Sequence, residues 1–362
     1  MTNKPSESFS GKAVVMSDKQ QAVSRRKFLK IGAGVAGVAG AGVLAASLAG
    51  QSPVQAQGGG DGSMTHHAMP MPGTNGEVDH AANGFNPTSI LTDFDGGKVS
   101  ALPNGQTLHE YRFVAAERTI ELVPGLSYSA WTYNGRVPGP TIRVREGDHI
   151  RIEFLNGTAH EHSIHFHGIH PGSMDGVYEQ VPPGGRFTYE FDAEPFGIHL
   201  YHCHSAPLAK HLSKGLYGAF IIEPKDGWPK VDHEFVMVMS AFDVDFDGTN
   251  DFYVVNAIPF HYDRNPIQIK VGETVRIFLV NILEFDPINS FHIHANFFHY
   301  YPTGTSLTPS EYTDTIALMQ AQRGILEFSY KYPGRYMFHA HKTEFAEKGW
   351  TGVFEVTEAE TL

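Results

Sequence analysis

One stretch of this chain occurs twice, and the duplication narrows what it can fold into. Pro140-Thr-Ile-Arg-Val-Arg-Glu-Gly-Asp-His-Ile-Arg-Ile-Glu-Phe-Leu-Asn156 matches Pro266-Ile-Gln-Ile-Lys-Val-Gly-Glu-Thr-Val-Arg-Ile-Phe-Leu-Val-Asn281, with Gly147 on Gly272 and Asn156 on Asn281 at a constant offset of 125. Each copy is followed by a His-x-His, a strand-like stretch, a second His-x-His and a closing run. The closing runs are Gly218-Ala-Phe-Ile-Ile222 and Gly352-Val-Phe-Glu-Val356. Self-similarity of this kind marks a duplicated structural unit, so the chain predicts two copies of one domain, at 105–226 and 227–362. Within both, short runs rich in Val, Ile, Phe, Tyr and Thr alternate with polar residues and stop at Gly, Pro or Asn. His149-Ile-Arg-Ile-Glu-Phe154 and Thr274-Val-Arg-Ile-Phe-Leu-Val280 are examples. Regularly spaced short strands with turn residues between them predict an all-β fold of sandwiches or barrels.

The N-terminus reads differently. Ser24-Arg-Arg-Lys-Phe-Leu-Lys30 is followed by a Gly/Ala-rich apolar stretch from Ile31 to Leu48 and by the small-residue site Val54-Gln55-Ala56. That order predicts an export signal over 1–56. Its paired arginines resemble a twin-arginine signal, which implies a periplasmic or secreted protein. The competing reading is an uncleaved anchor. Half the apolar run is Gly and Ala, so its transfer into a bilayer is weakly driven, and no membrane span is expected in the mature form. Residues 57–104 are rich in Gly, Asn, Asp and Pro without periodicity and read as a flexible linker. Inside them Met64-Thr-His-His-Ala-Met-Pro-Met71 offers soft copper donors, although a polar linker that happens to hold them is the preferred reading. The formal charge of −12 becomes more negative once a signal with seven basic and two acidic residues is removed. A nucleic-acid partner is excluded on that ground, because phosphate binding needs a basic face.

The chain has 21 histidines and a single cysteine, Cys203. Four His-x-His pairs stand out: His165/His167, His202/His204, His292/His294 and His339/His341. Side chains two apart on a strand share a face, so each pair presents two imidazoles side by side. Eight of them exceed the four ligands one zinc takes and suit several borderline ions held together. The same parity turns Cys203 away from His202 and His204. His162, an odd step before His165, also points away from the paired face, and His211 follows Cys203 on a loop. A thiolate with two imidazoles is a blue-copper ligand set. Leu216 stands where an axial Met is expected, which leaves the ion three-coordinate and raises its potential.

Trp131-Thr-Tyr-Asn-Gly-Arg-Val-Pro-Gly-Pro140, His165-Phe-His-Gly168 and His202-Cys-His204 together resemble the multicopper oxidase family. The likeness is to its two-domain, laccase-like members related to copper nitrite reductases. The resemblance covers nearly all of 110–357. It implies two tandem cupredoxin-like Greek-key β-sandwich domains and four coppers per chain. A type 1 copper would sit on His162, Cys203 and His211. The eight paired histidines would hold a trinuclear cluster, with type 2 copper on His165 and His292 and the type 3 pair on the other six. It further implies one-electron oxidation of a phenolic or metal-ion donor coupled to reduction of O₂ to water.

The second domain departs from a copper-bearing pattern at four places. Asn289, Ala340, Phe345 and Trp350 replace the type 1 ligands, so no blue copper is expected there. Two domains cannot readily close a cluster on themselves in the groove that relatives use. Head-to-tail contact between subunits is therefore implied, and a homotrimer is expected. O₂ reduction consumes protons, and Asp175 in Met174-Asp-Gly-Val177 matches a position where relatives keep a relay acid. The competing reading is a turn aspartate. Glu344 and Glu347 are weaker candidates, and His160, His170 and His199 break the spacing and are read as non-ligands. A copper nitrite reductase is the alternative function. Such enzymes carry an Asp where this chain has His165. A simple copper carrier would not need the four pairs.

Overall fold

Alternation along the strand His149–Asn156 sets the first domain. Ile150, Ile152 and Phe154 are buried while the residues between them reach the surface. In the computed structural model, which describes residues 76–359, this strand pairs in parallel with Thr107–Val123 and antiparallel with Arg186–Asp192. The facing sheet runs Phe94–Asp95, Thr141–Arg145, Tyr217–Glu223, Gly197–His202, His165–Phe166. Phe113, Phe154, Phe166, Tyr201 and Phe220 fill the core between them.

The second domain repeats the arrangement. Asn265–Lys270, Thr351–Thr357, Gly334–His339 and Ile288–Ile293 follow one another in the same order as their counterparts, and the first pair is again parallel. The fold is all-β, two tandem cupredoxin-like sandwiches with only short helices.

The strand Val275–Asn281 is buried at every position. Val275, Ile277 and Leu279 enter the core of the second domain. Phe278 and Val280 enter a separate apolar layer with Ile198, Leu200 and Ile221 of the first domain. A strand covered on both faces reads as a continuous apolar run instead of an alternation. Each such side chain contributes about 1.5–3 kcal/mol relative to exposure, so the shared layer holds the two domains together. Ile198 N donates to Thr303 O at 2.9 Å, and Arg323 Nε donates to Ile198 O at 2.9 Å. The strand carrying His202 is thereby fixed against the second domain.

The expected linker is corrected from residue 76 onward. Asp79 accepts from Ala82 N and caps His80–Asn83, and Asn86 caps Pro87–Ile90. Ile90 and Leu91 are buried, Phe94–Asp95 pairs with Thr141–Arg145, and Lys98–Ala101 pairs with Thr107–Val123. The Asp, Asn, Pro and Gly residues that looked like linker chemistry are caps and turns. The export signal and the Met64–Met71 tract lie outside the described residues. Among those described, no helix is long and apolar enough to cross a membrane.

Candidate functional site

Strand parity places the candidate metal ligands on two faces. Ile164, Phe166, Tyr201 and Cys203 lie in the first domain's core. Ile198 and Leu200 lie on the opposite face, in the interdomain layer, and His202 follows them in register. His165 pairs directly with His202 across the sheet.

On the core side, His162, Cys203 and His211 converge. Cys203 Sγ stands 3.2 Å from His211 Nδ1 and 3.6 Å from His162 Nδ1, and the two Nδ1 atoms are 3.1 Å apart. All three residues are buried. Burial, followed by mutual repulsion with His211, pushes His162 down to about 3, and burial pushes His211 down to about 4. Both rings are therefore neutral and carry lone pairs. Burial pushes the Cys203 thiol up, so an unpartnered thiolate is disfavoured there. Three donors aimed at one point, with no protein cation among them, fit one soft ion. Trp131 packs edge-on against both rings, at 5.2 Å from His162 and 4.8 Å from His211. Leu216 is fully buried in the same core.

On the other face, the rings of His165, His167, His202 and His204 lie within 6.0 Å of their neighbours in the group. His167 Nε2 and His202 Nε2 are 3.3 Å apart. Burial drives protonation of His167 down to about 2 and of His202 to about 4. These rings line a cavity of about 510 Å³ closed partly by Leu208, Leu212, Ile282 and Gln320.

The second domain builds a matching half. His292 pairs with His339 in register, and His294 Nε2 stands 2.9 Å from His339 Nε2. The tautomers are set alike in the two halves. His202 Nδ1 bonds Cys203 O at 2.9 Å and His339 Nδ1 bonds Ala340 O at 2.7 Å. His165 Nδ1 bonds Asp175 O at 2.8 Å and His292 Nδ1 bonds Asp314 O at 2.9 Å. A ring nitrogen held by a carbonyl leaves the other free for a metal. The rings of His292, His294, His339 and His341 contact one another as those of the first group do, and His294 and His341 are exposed.

In the second domain the positions that correspond to Cys203, His211 and Leu216 are filled by packing. Ala340, Phe345 and Trp350 are fully buried. Trp350 N bonds Phe345 O as Leu216 N bonds His211 O, so the two loops close alike. Asn289 Nδ2 donates to Asn281 Oδ1 at 3.2 Å.

Asp175 Oδ1 stands 3.1 Å from His165 Nδ1 and 3.7 Å from His170 Nε2. Glu344 is tied to Lys342 and Lys348. His160 packs on Trp131, His170 bonds Phe166 O, and His199 bonds Pro195 O. Sequence reasoning missed Asp314 and Thr315, whose hydroxyl lies 2.8 Å from His292 Nδ1. It also missed Ser163 and Ser290, which accept from His204 N and His341 N.

Residues 115–227 match the multicopper oxidase family, and residues 231–360 match it again. A copper-containing nitrite reductase of Neisseria meningitidis is 32% identical over 265 residues, 67% of this chain and 68% of that protein. A solved structure described as a multicopper oxidase superposes with a TM-score of 0.77 at 58% identity, covering 78% of this chain and 100% of that one. A copper nitrite reductase from Nitrosomonas europaea superposes with a TM-score of 0.64 at 28% identity, covering 69% and 94%.

Proposed function

The chain belongs to the multicopper oxidase family, and from that premise we propose that it oxidises a small donor beside Cys203 and reduces O₂ to water at the paired histidines. Four single-electron oxidations supply four electrons, which with four protons convert one O₂ to two waters. Copper, the cofactor these domains imply, supplies the one-electron and O₂ chemistry when bound. We assign four ions per chain: type 1 on His162, Cys203 and His211, type 2 on His165 and His292, and a type 3 pair on His167, His202, His204, His294, His339 and His341.

One observation carries the reading. Cys203 faces one site while its chain neighbours His202 and His204 face the other, so donor side and oxygen side are joined by two peptide units. The 2.9 Å contact from His202 Nδ1 to Cys203 O shortens that path. Lys210 Nζ and Lys214 Nζ each stand 5.3 Å from the Trp131 ring. Two cations beside this ring, Lys210 exposed and Lys214 buried, support a phenolic, laccase-type donor over Cu(I), Fe(II) or Mn(II). The Ser24–Lys30 segment supports export by the twin-arginine route to the periplasm or beyond.

Nitrite reduction is the alternative, favoured by the nitrite reductase relatives. His165 and the eight paired imidazoles argue against it, as does the higher identity to the multicopper oxidase structure. Copper-loaded protein given a phenol is expected to consume O₂ and ignore nitrite, with four coppers per chain. Cys203→Ser is expected to lose phenol oxidation and blue colour while keeping the other three. Two coppers per chain with nitrite reduction, or an unchanged rate in Cys203→Ser, would overturn the assignment.

A further inference from the structure

A second group of metal-type donors lies away from the copper ligands, where the N-terminal segment meets the second domain. Glu77, His80 and His261 each offer one ligand atom within 4.8 Å of the others. His261 is 1% exposed. Its Nε2 lies 2.7 Å from Thr88 Oγ1, while its Nδ1 is buried without a hydrogen-bond partner. Both ring nitrogens of His80 are likewise buried without a hydrogen-bond partner. A buried polar atom left unpaired costs about 1–3 kcal/mol, and here two such nitrogens, His80 Nδ1 and His261 Nδ1, lie in a group whose third, His80 Nε2, faces the Glu77 carboxylate.

We propose that Glu77, His80 and His261 form a zinc site. Two imidazoles and a carboxylate are a zinc ligand set that leaves a fourth position for water. Ligands about 2.1 Å from a tetrahedral ion stand roughly 3.4 Å apart, and His80 Nε2 is already 3.4 Å from Glu77 Oε1. Thr88 plays the part of an outer-sphere partner. Accepting from Nε2–H, it turns the Nδ1 lone pair of His261 inward. Asn265 Nδ2, 2.9 Å from Glu77 Oε1, orients the carboxylate. Arg264 is a nearby charge that opposes a cation, and it is itself offset by Glu77 and Asp263.

The site has a structural consequence. Asn83 bonds the backbone of Glu121 in the first domain through both ends of its amide, at 2.9 and 2.8 Å. Tyr262 Oη bonds Pro87 O at 2.9 Å in the second. The segment therefore straddles both domains, and zinc would fasten its start to the helix His261–Arg264.

The test uses copper-loaded full chain equilibrated with zinc alone, passed through a desalting column, and read by metal analysis and thermal melting. One zinc per chain beyond the copper is expected, with a melting shift of several degrees. Glu77→Gln and His80→Ala, both on the partly exposed side, should weaken zinc binding at least tenfold while copper content and blue absorption stay unchanged. His261→Ala should lose it altogether if the variant folds. No zinc retained by the parent protein, or equal retention by Glu77→Gln and His80→Ala, would overturn the proposal.

Discussion

Asp175 reaches His165 twice, through its carbonyl at 2.8 Å and its Oδ1 at 3.1 Å. The carbonyl contact is structural, since Asp314 O does the same for His292. The carboxylates differ, because Asp175 Oδ1 meets its ring directly whereas Asp314 Oδ1 bonds Thr315 Oγ1 at 3.0 Å and that hydroxyl stands between it and His292. A carboxylate in direct contact with a paired histidine, and also 3.7 Å from His170 Nε2, suits the proton delivery that the proposed O₂ reduction needs. Asp175→Asn keeps the backbone contact and nearly the same shape but removes the proton-accepting carboxylate. Its turnover at saturating O₂ is expected to fall about 100-fold or more with copper content unchanged, and a parent-like rate would reduce Asp175 to a turn residue. Asp175 was legible because it follows its histidine closely in Met174-Asp-Gly-Val177. Asp314 was not, because a longer excursion separates it from His292 and no fixed spacing survives.

At the scale of strands, parity was readable before any coordinates. Cys203 and Ala340 fall in their domain cores, and the flanking histidines fall on the other face. What parity could not supply was the cover on that other face, because a run such as Val275–Asn281 names no partner. His199 shows the cost of that gap. It was set aside as breaking the spacing, yet it ties the Gly197–His202 strand to the second domain. Its Nε2 bonds Pro195 O and its Nδ1 stands 3.3 Å from Arg323 Nη2. Burial holds its protonation down to about 4, below the ordinary value near 6.5. The folded state thus prefers the neutral ring, so the contribution is complete above about pH 6.5 and is lost as pH falls through about 4. On the order of 2–3 kcal/mol is at stake. Denaturant titrations at pH 7 and pH 4.5 are expected to show His199→Gln with a smaller acid loss than the parent. Equal loss in both would mean that His199 does not couple the domains to pH. From residue 76 onward the linker reading failed for a related reason, since caps and turns share their composition with linkers until the buried Ile90 and Leu91 are seen.

For the whole molecule, the decisive observation is that, among the described residues, each histidine set is built by one domain: the rings of His165, His167, His202 and His204 gather in the first, and those of His292, His294, His339 and His341 in the second. The first half opens on a cavity bordered by Ile282, Glu284 and Gln320 of its own second domain, and no paired histidine of that domain lines it. The second half leaves His294 and His341 exposed. A repeat in sequence announces two half-sites but not whether they close on each other or on a neighbour. We propose head-to-tail association, which would bring the first domain of one subunit onto the second domain of the next and close into a ring, with three subunits the expectation. The claim can be separated from any intrachain closure by complementation. His167→Ala disables the first half and His294→Ala the second, so each variant alone is expected to be inactive. In a ring assembled at random from equal amounts of both, a site is intact where a His294→Ala subunit gives its first domain to a His167→Ala subunit's second domain. That pairing occurs at about one quarter of the interfaces whatever the ring size. Co-expressed variants should therefore recover roughly a quarter of the parent activity, and sedimentation should give three chains per particle. If each cluster closed inside its own chain, every chain in the mixture would carry a broken site, and the mixture would be as inactive as its components.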